Sequence, residues 1–144
     1  IEFNQPIESW NVSNVTNMRG MFYKATAFNQ PIGSWDVSNV TNMQSMFMNA
    51  SAFNQNIENW DTSNVTNMSY MFMNTNAFNN GGSDSIKTWS APKCTSFQEM
   101  FENASLFNQP LTNLVDTTNV SDVESFIDLI KRIDLLLFLE LYIL

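Results

Sequence analysis

The chain has 144 residues, the size of one domain, and 44% of them are hydrophobic, so a core can form. Acidic residues outnumber basic ones 14 to 6, for a net charge of −8. The basic residues Arg19, Lys24, Lys87, Lys93, Lys131 and Arg132 are too scattered to make a phosphate-binding stripe, which argues against nucleic acid. There is no histidine and Cys94 is alone, which excludes a disulfide framework and a Cys/His metal cluster.

Residues 10–22 (WNVSNVTNMRGMF), 35–47 (WDVSNVTNMQSMF) and 60–72 (WDTSNVTNMSYMF) repeat one pattern 25 residues apart. A period in this range marks a fold built from stacked copies. Units begin near Phe3, Phe28, Phe53, Phe78 and Phe107, which assigns residues 1–127 to the repeats and 128–144 to a separate segment. Ile1, Glu2 and Phe3 fall mid-repeat and no signal peptide is visible, so a fragment with missing upstream copies is expected.

Within each unit an FNQP-like turn comes first, as in residues 3–6, 28–31, 53–56 and 107–110. An aliphatic residue and a tryptophan three positions later follow: Ile7/Trp10, Ile32/Trp35, Ile57/Trp60 and Ile86/Trp89. Trp35 and Val37 alternate with Asp36, as a strand with one buried face requires, and Pro31 sits ahead of it where a missing N–H does no harm. Next, Met43, Met46, Phe47 and Ala50 lie at i, i+3, i+4 and i+7, one face of a short helix. Thr41 suits its N-cap and Gln44 completes a capping box, with equivalents at Thr16/Arg19, Thr66/Ser69, Thr95/Gln98 and Ser121/Glu124. The expected fold class is therefore α/β, a right-handed solenoid of about five coils, each a short parallel strand plus a short helix. Coils about 4.8 Å apart share their core, so stability belongs to neighbours rather than to single units.

The fourth unit carries extra residues before Ile86, where Gly81 and Gly82 among small polar neighbours read as an exposed loop. The fifth has lost its tryptophan, as a terminal copy does. Residues 128–144 lack the repeat anchors and are strongly apolar. Their uncharged core is too short to span a bilayer. Three readings stay open for them: a cap helix on the stack, an adventitious tail, or a membrane or partner contact.

The pattern WDVSNVTNM-x-x-MF-x-x-A-x-x-FNQPI-x-x-W resembles the BspA-type bacterial surface protein repeat, a variant of the leucine-rich repeat, from Phe3 to about Ile127. The resemblance implies a leucine-rich-repeat-like curved solenoid, a cell-surface or secreted location, and adhesion or contact with a protein partner, host surface or matrix. It implies no catalytic residue and no cofactor. On it, the outward column Asn11, Asp36, Asp61, Ser90 and Asp116 would face the concave, ligand-docking side. The column reads either as an acidic strip for a basic partner or for Ca²⁺, or as solvated residues closing Asx turns.

The remaining repeated residues read as structure. The Asn and Gln of the FNQP turns suit stacked amide ladders. The methionines, at helical spacing beside Phe, suit a core that must fill irregular gaps. Trp10, Trp35, Trp60 and Trp89 lie in the strand's apolar register, and Cys94 stands in a core Val position. Asn-x-Ser/Thr triplets recur because Asn leads into the cap and Thr is the cap. No nucleophile–base pair, phosphate loop or metal-ligand spacing stands out, so no enzyme, cofactor or metal is expected. The expected function is a non-catalytic protein-interaction module that stacks on further repeats of its parent chain. The alternatives are a passive spacer and a fragment without autonomous function.

Overall fold

In residues 18–25 the amides of Gly20, Phe22 and Lys24 do not turn back on their own chain. They donate forward, to the carbonyls of Gln44, Met46 and Met48 in the next unit, at 2.9 Å each. The amides between them close tight i→i+3 turns: Met21 to Met18, Tyr23 to Gly20 and Ala25 to Phe22. The same alternation recurs 25 residues on, where Ser45, Phe47 and Asn49 donate to Ser69, Met71 and Met73. It recurs again where Tyr70, Phe72 and Asn74 donate to Gln98, Met100 and Glu102. The result is a ribbon of consecutive turns whose free amides all leave on one side. These relations come from a computed structural model, which describes residues 2–83, 86, 89–109, 111 and 114.

This geometry overturns the expected α/β leucine-rich-repeat-like solenoid. Among the described residues there is no α-helix and no strand, only a 3₁₀ turn at Asn80–Gly82 and isolated parallel bridges linking Asn17, Asn42, Asn67 and Ser96. The physical reason lies in where the amides go. A helix needs N–H(i) to reach O(i−4), and here every second amide is taken by the neighbouring unit. The expected strand at Trp35–Asp36–Val37 fails for a related reason: it is pinned between two turns, Trp35 N–H to Ile32 and Val40 N–H to Val37.

The ribbon needs left-handed backbone at every fourth residue. Gly20 takes it at φ +63°. Ser45, Tyr70 and Glu99 occupy the same place in later units, and Lys24, Asn49, Asn74 and Asn103 the place four residues on. Apart from glycine, only Asn and Asp visit this region at modest cost, and three of the second set are Asn.

The proposed caps also act differently. The hydroxyls of Thr41, Thr66 and Thr95 donate to the carbonyls of Thr16, Thr41 and Thr66, so threonine joins units rather than starting helices. The turn is closed instead by the residue after it: Asn17, Asn42 and Asn67 accept the amides of Arg19, Gln44 and Ser69 through Oδ1.

Inside, apolar side chains form one cluster around aligned aromatic columns. Phe22, Phe47, Phe72 and Phe101 stack at 5.4–5.5 Å between ring centres. Phe28, Phe53, Phe78 and Phe107 stack at 5.7–5.9 Å. The two columns touch where one unit passes into the next, for example Phe47 against Phe53 at 4.0 Å. Such pairs contribute about 0.5–1.5 kcal/mol beyond burial alone. Met18, Met43, Met46, Met68, Met71, Met100 and Cys94 are buried with them, whereas Met21 is 37% exposed. Trp35, Trp60 and Trp89 are buried and donate Nε1–H to the carbonyls of Ile7, Ile32 and Ile57. Trp10 departs from the expected burial: it is 54% exposed.

The FNQP turns carry the expected amide ladder. Asn4 Oδ1 accepts both Asn29 N–H (2.9 Å) and Gln30 Nε2–H (2.8 Å). Asn29 does the same for Asn54 and Gln55, and Asn79 for Asn108 and Gln109. The insertion joins this ladder and is not merely an exposed loop. Gly81 N–H replaces the missing glutamine on Asn54 Oδ1, and the buried Asn80 accepts Ile57 N–H. The fifth-unit cap Ser121 and the segment 128–144 lie outside the described residues.

Candidate binding surfaces

Asn11, Asp36, Asp61 and Ser90 each sit just after the Ile-to-Trp turn, and Asp36, Asp61 and Ser90 lie between a buried Trp and a buried Val37, Thr62 or Ala91, which turns their own side chains out. Asn11, Asp36, Asp61 and Ser90 are all exposed at equivalent places in successive units. Asp116 lies outside the described residues. The column is real as a row of positions, but only Asp36 and Asp61 bring charge to it among the described residues.

Both carboxylates are held from below. Asp36 Oδ1 accepts Ser38 Oγ–H at 2.6 Å and Ser38 N–H at 3.1 Å. Asn11 makes the same pair of bonds with Ser13, and Asp61 accepts Ser63 N–H at 3.0 Å. The Ser38 hydroxyl and then its amide favour the charged form and hold the Asp36 carboxyl below its usual range. Ser63 does the same for Asp61, against a small opposing push from the Asp36 charge. The arrangement presents two fixed anions, one in the second unit and one in the third, both exposed to solvent. No three His, Cys, Asp or Glu side chains gather at one point among the described residues. A Ca²⁺ ion needs six to eight oxygens around it.

Cys94 is 1% exposed, its Sγ–H is directed at the Ser96 carbonyl at 3.3 Å, and burial pushes its thiol up to about 11. It is a core residue, not a nucleophile.

A second surface went unread in the sequence. Beyond the ribbon, an open groove of about 630 Å³ crosses the units. It is lined by two sets of repeat positions, Asn49, Asn74 and Asn103, and Thr26, Ser51, Asn76 and Ser105. Asn74 Nδ2–H donates to Asn49 Oδ1 at 3.0 Å, and Asn103 Nδ2–H to Asn74 Oδ1 at 2.9 Å. The signal was the recurrence of Asn at one repeat position, hidden because two of these residues also open Asn-x-Ser triplets.

The family model described as Mycoplasma protein of unknown function, DUF285, matches residues 1–113 and again, overlapping, residues 32–134. Overlapping matches of this kind accompany internal repetition. No curated protein and no solved structure matches the chain.

Proposed function

The chain belongs to the DUF285 family of Mycoplasma proteins of unknown function, and on that premise we propose that it is a non-catalytic binding module of a surface or secreted repeat protein. It meets a basic protein partner along the column Asn11, Asp36, Asp61 and Ser90. The observation that carries this reading is the pair Asp36 and Asp61: exposed carboxylates at one repeat position, each locked by a serine two residues on. Fixed like charges at repeat spacing suit a partner with its own spaced cations, because the orientation is settled before binding. The resemblance of residues 35–47 to BspA-type surface repeats supports the location and the adhesive role. Further repeats of a parent chain would extend the column in the same register.

A lysine-rich synthetic peptide is the probe. Its binding is expected to weaken steeply with salt and to fall at least tenfold in the double variant Asp36→Lys, Asp61→Lys. Binding unchanged by that reversal sinks the proposal. It would favour the spacer reading, which has its own observation: the serines already satisfy part of each carboxylate, as turn closure alone would require.

A further inference from the structure

We propose that the groove between Asn49, Asn74, Asn103 and the row from Thr26 to Ser105 is a second binding site, for a neutral polyhydroxylated chain, a linear glycan, laid across the units. Its volume, about 630 Å³, falls within the range of roughly 300–1,000 Å³ typical of ligand sites. The chemistry of the lining selects the ligand class by what it offers and what it lacks.

No lining residue is charged. A phosphate, carboxylate or ammonium entering the groove would give up water without an opposite charge to replace it. The backbone beside the groove is already paired between units. Asn49 N–H goes to Met73, Asn74 N–H to Glu102, Ala52 N–H to Thr26 and Ala77 N–H to Ser51. At these positions the backbone leaves no open edge for a peptide strand to join, and no apolar side chain lines the groove to anchor a peptide.

What the groove does offer is a ladder of oriented amides. A carboxamide has two N–H donors and an oxygen with two lone pairs. At Asn74 the ladder uses one of each, through Asn49 and Asn103. One N–H and one lone pair of the same carboxamide remain beyond the ladder. Neighbouring hydroxyls of a sugar ring need that pairing, since each hydroxyl both donates and accepts. The rung is further immobilised because Asn49, Asn74 and Asn103 all hold left-handed backbone, at φ 62°, 57° and 57°. Rungs recur once per unit, so they match a polymer whose hydroxyls also recur.

The test uses the 144-residue chain and three neutral probes, cellohexaose, chitohexaose and mannohexaose, with hexagalacturonate as the anionic comparison. Binding is followed by titration NMR on the asparagine side-chain amides. At least one neutral hexasaccharide is expected to bind saturably, with an affinity insensitive to salt and with shifts at Asn49, Asn74 and Asn103. Ser51→Trp, a change at an exposed position, fills the groove and is expected to weaken binding at least tenfold without lowering the melting temperature. Asn74→Asp keeps the size but adds a charge and removes the Nδ2–H that Asn49 Oδ1 accepts, so it is expected to weaken binding as well, with some loss of stability. Asp36→Lys, Asp61→Lys should bind the glycan normally, which separates this site from the acidic column. Failure of all three neutral probes at millimolar concentration overturns the proposal, as does equal binding by Ser51→Trp or tighter binding of hexagalacturonate.

Discussion

Asp36 is the residue where local structure and exposed chemistry meet. Two bonds from Ser38 hold its carboxyl below the ordinary value of 3.8, and the unfolded chain lacks them. The sign follows from linkage: a depressed folded pKa adds stability that is complete above 3.8 and is lost as pH falls through the lower folded value. Asp61 acts in the same direction in the same window. Ser38→Ala removes the stronger of the two bonds, so the Asp36 carboxyl should titrate closer to its ordinary value. Carboxyl NMR through an acid titration reads this, and an unmoved Asp36 curve would show that the hydroxyl does not set it. The exposure of this column was legible in the sequence, because Trp and Val on either side of Asp36 are buried anchors. The serine clamp was legible too, as an Asx turn. The groove was not: Asn49 and Asn74 carry no apolar pattern, and nothing in one sequence says that their amides meet.

At the scale of the element, the turn ribbon explains both the success and the failure of the expected helix. Met43, Met46, Phe47 and Ala50 are all buried, as their spacing demanded. That spacing is met by an α-helix, and equally by a ribbon of tight turns with left-handed residues between them, so burial was legible and backbone was not. What decides between them is a hydrogen-bond acceptor 24 residues ahead, from Phe47 N–H to Met71 for instance, and local propensity cannot register it. The left-handed positions offer a direct test. Ser45 holds φ 56° where the first unit uses Gly20. Left-handed backbone costs a residue with a Cβ about 1–2 kcal/mol, and glycine returns part of that through its larger unfolded-state entropy. Ser45→Gly should therefore stabilise the protein by up to about 1 kcal/mol in urea unfolding. A loss of stability would mean that the serine side chain contributes more than its backbone costs.

Across the whole molecule the units cohere through aromatic columns and ladders that each skip one repeat length. Phe47 touches Phe22, Phe53, Trp60 and Phe72, and so links three units. Phe47→Ala should cost about 3–5 kcal/mol, measured as a fall in the denaturation midpoint. Phe3, only partly buried and stacked on Phe22 and Phe28, should cost clearly less when cut to alanine. Equal effects would mean that the central column carries no special share of the stability. The unit length, most of the core residues, though not Trp10 or Met21, and the FNQP amide ladder were legible at this scale, because repetition puts like beside like. The class of secondary structure was not, because the repeat leaves open which backbone atoms meet.

The ribbon's amides have an electrical consequence. At each interface between the first four units, four ribbon amides donate forward to backbone carbonyls; two others, such as Thr41 to Thr16 and Ala52 to Thr26, donate backward to carbonyls, and the Asn29, Asn54 and Asn79 amides donate backward to Asn side chains. The excess peptide dipoles, each about 3.5 D, therefore add from unit to unit as they do along a helix, but across the chain direction instead of along it. Within the described units the carbonyl, negative side of the ribbon lies toward the first unit and the amide, positive side toward the fourth. Ribbon charges follow this field: Arg19 and Lys24 stand in the first unit, Glu99 and Glu102 in the fourth. A stack with no α-helix among its described residues thus carries a helix-like polarity across its ribbon, and the ribbon's own charges match it in sign.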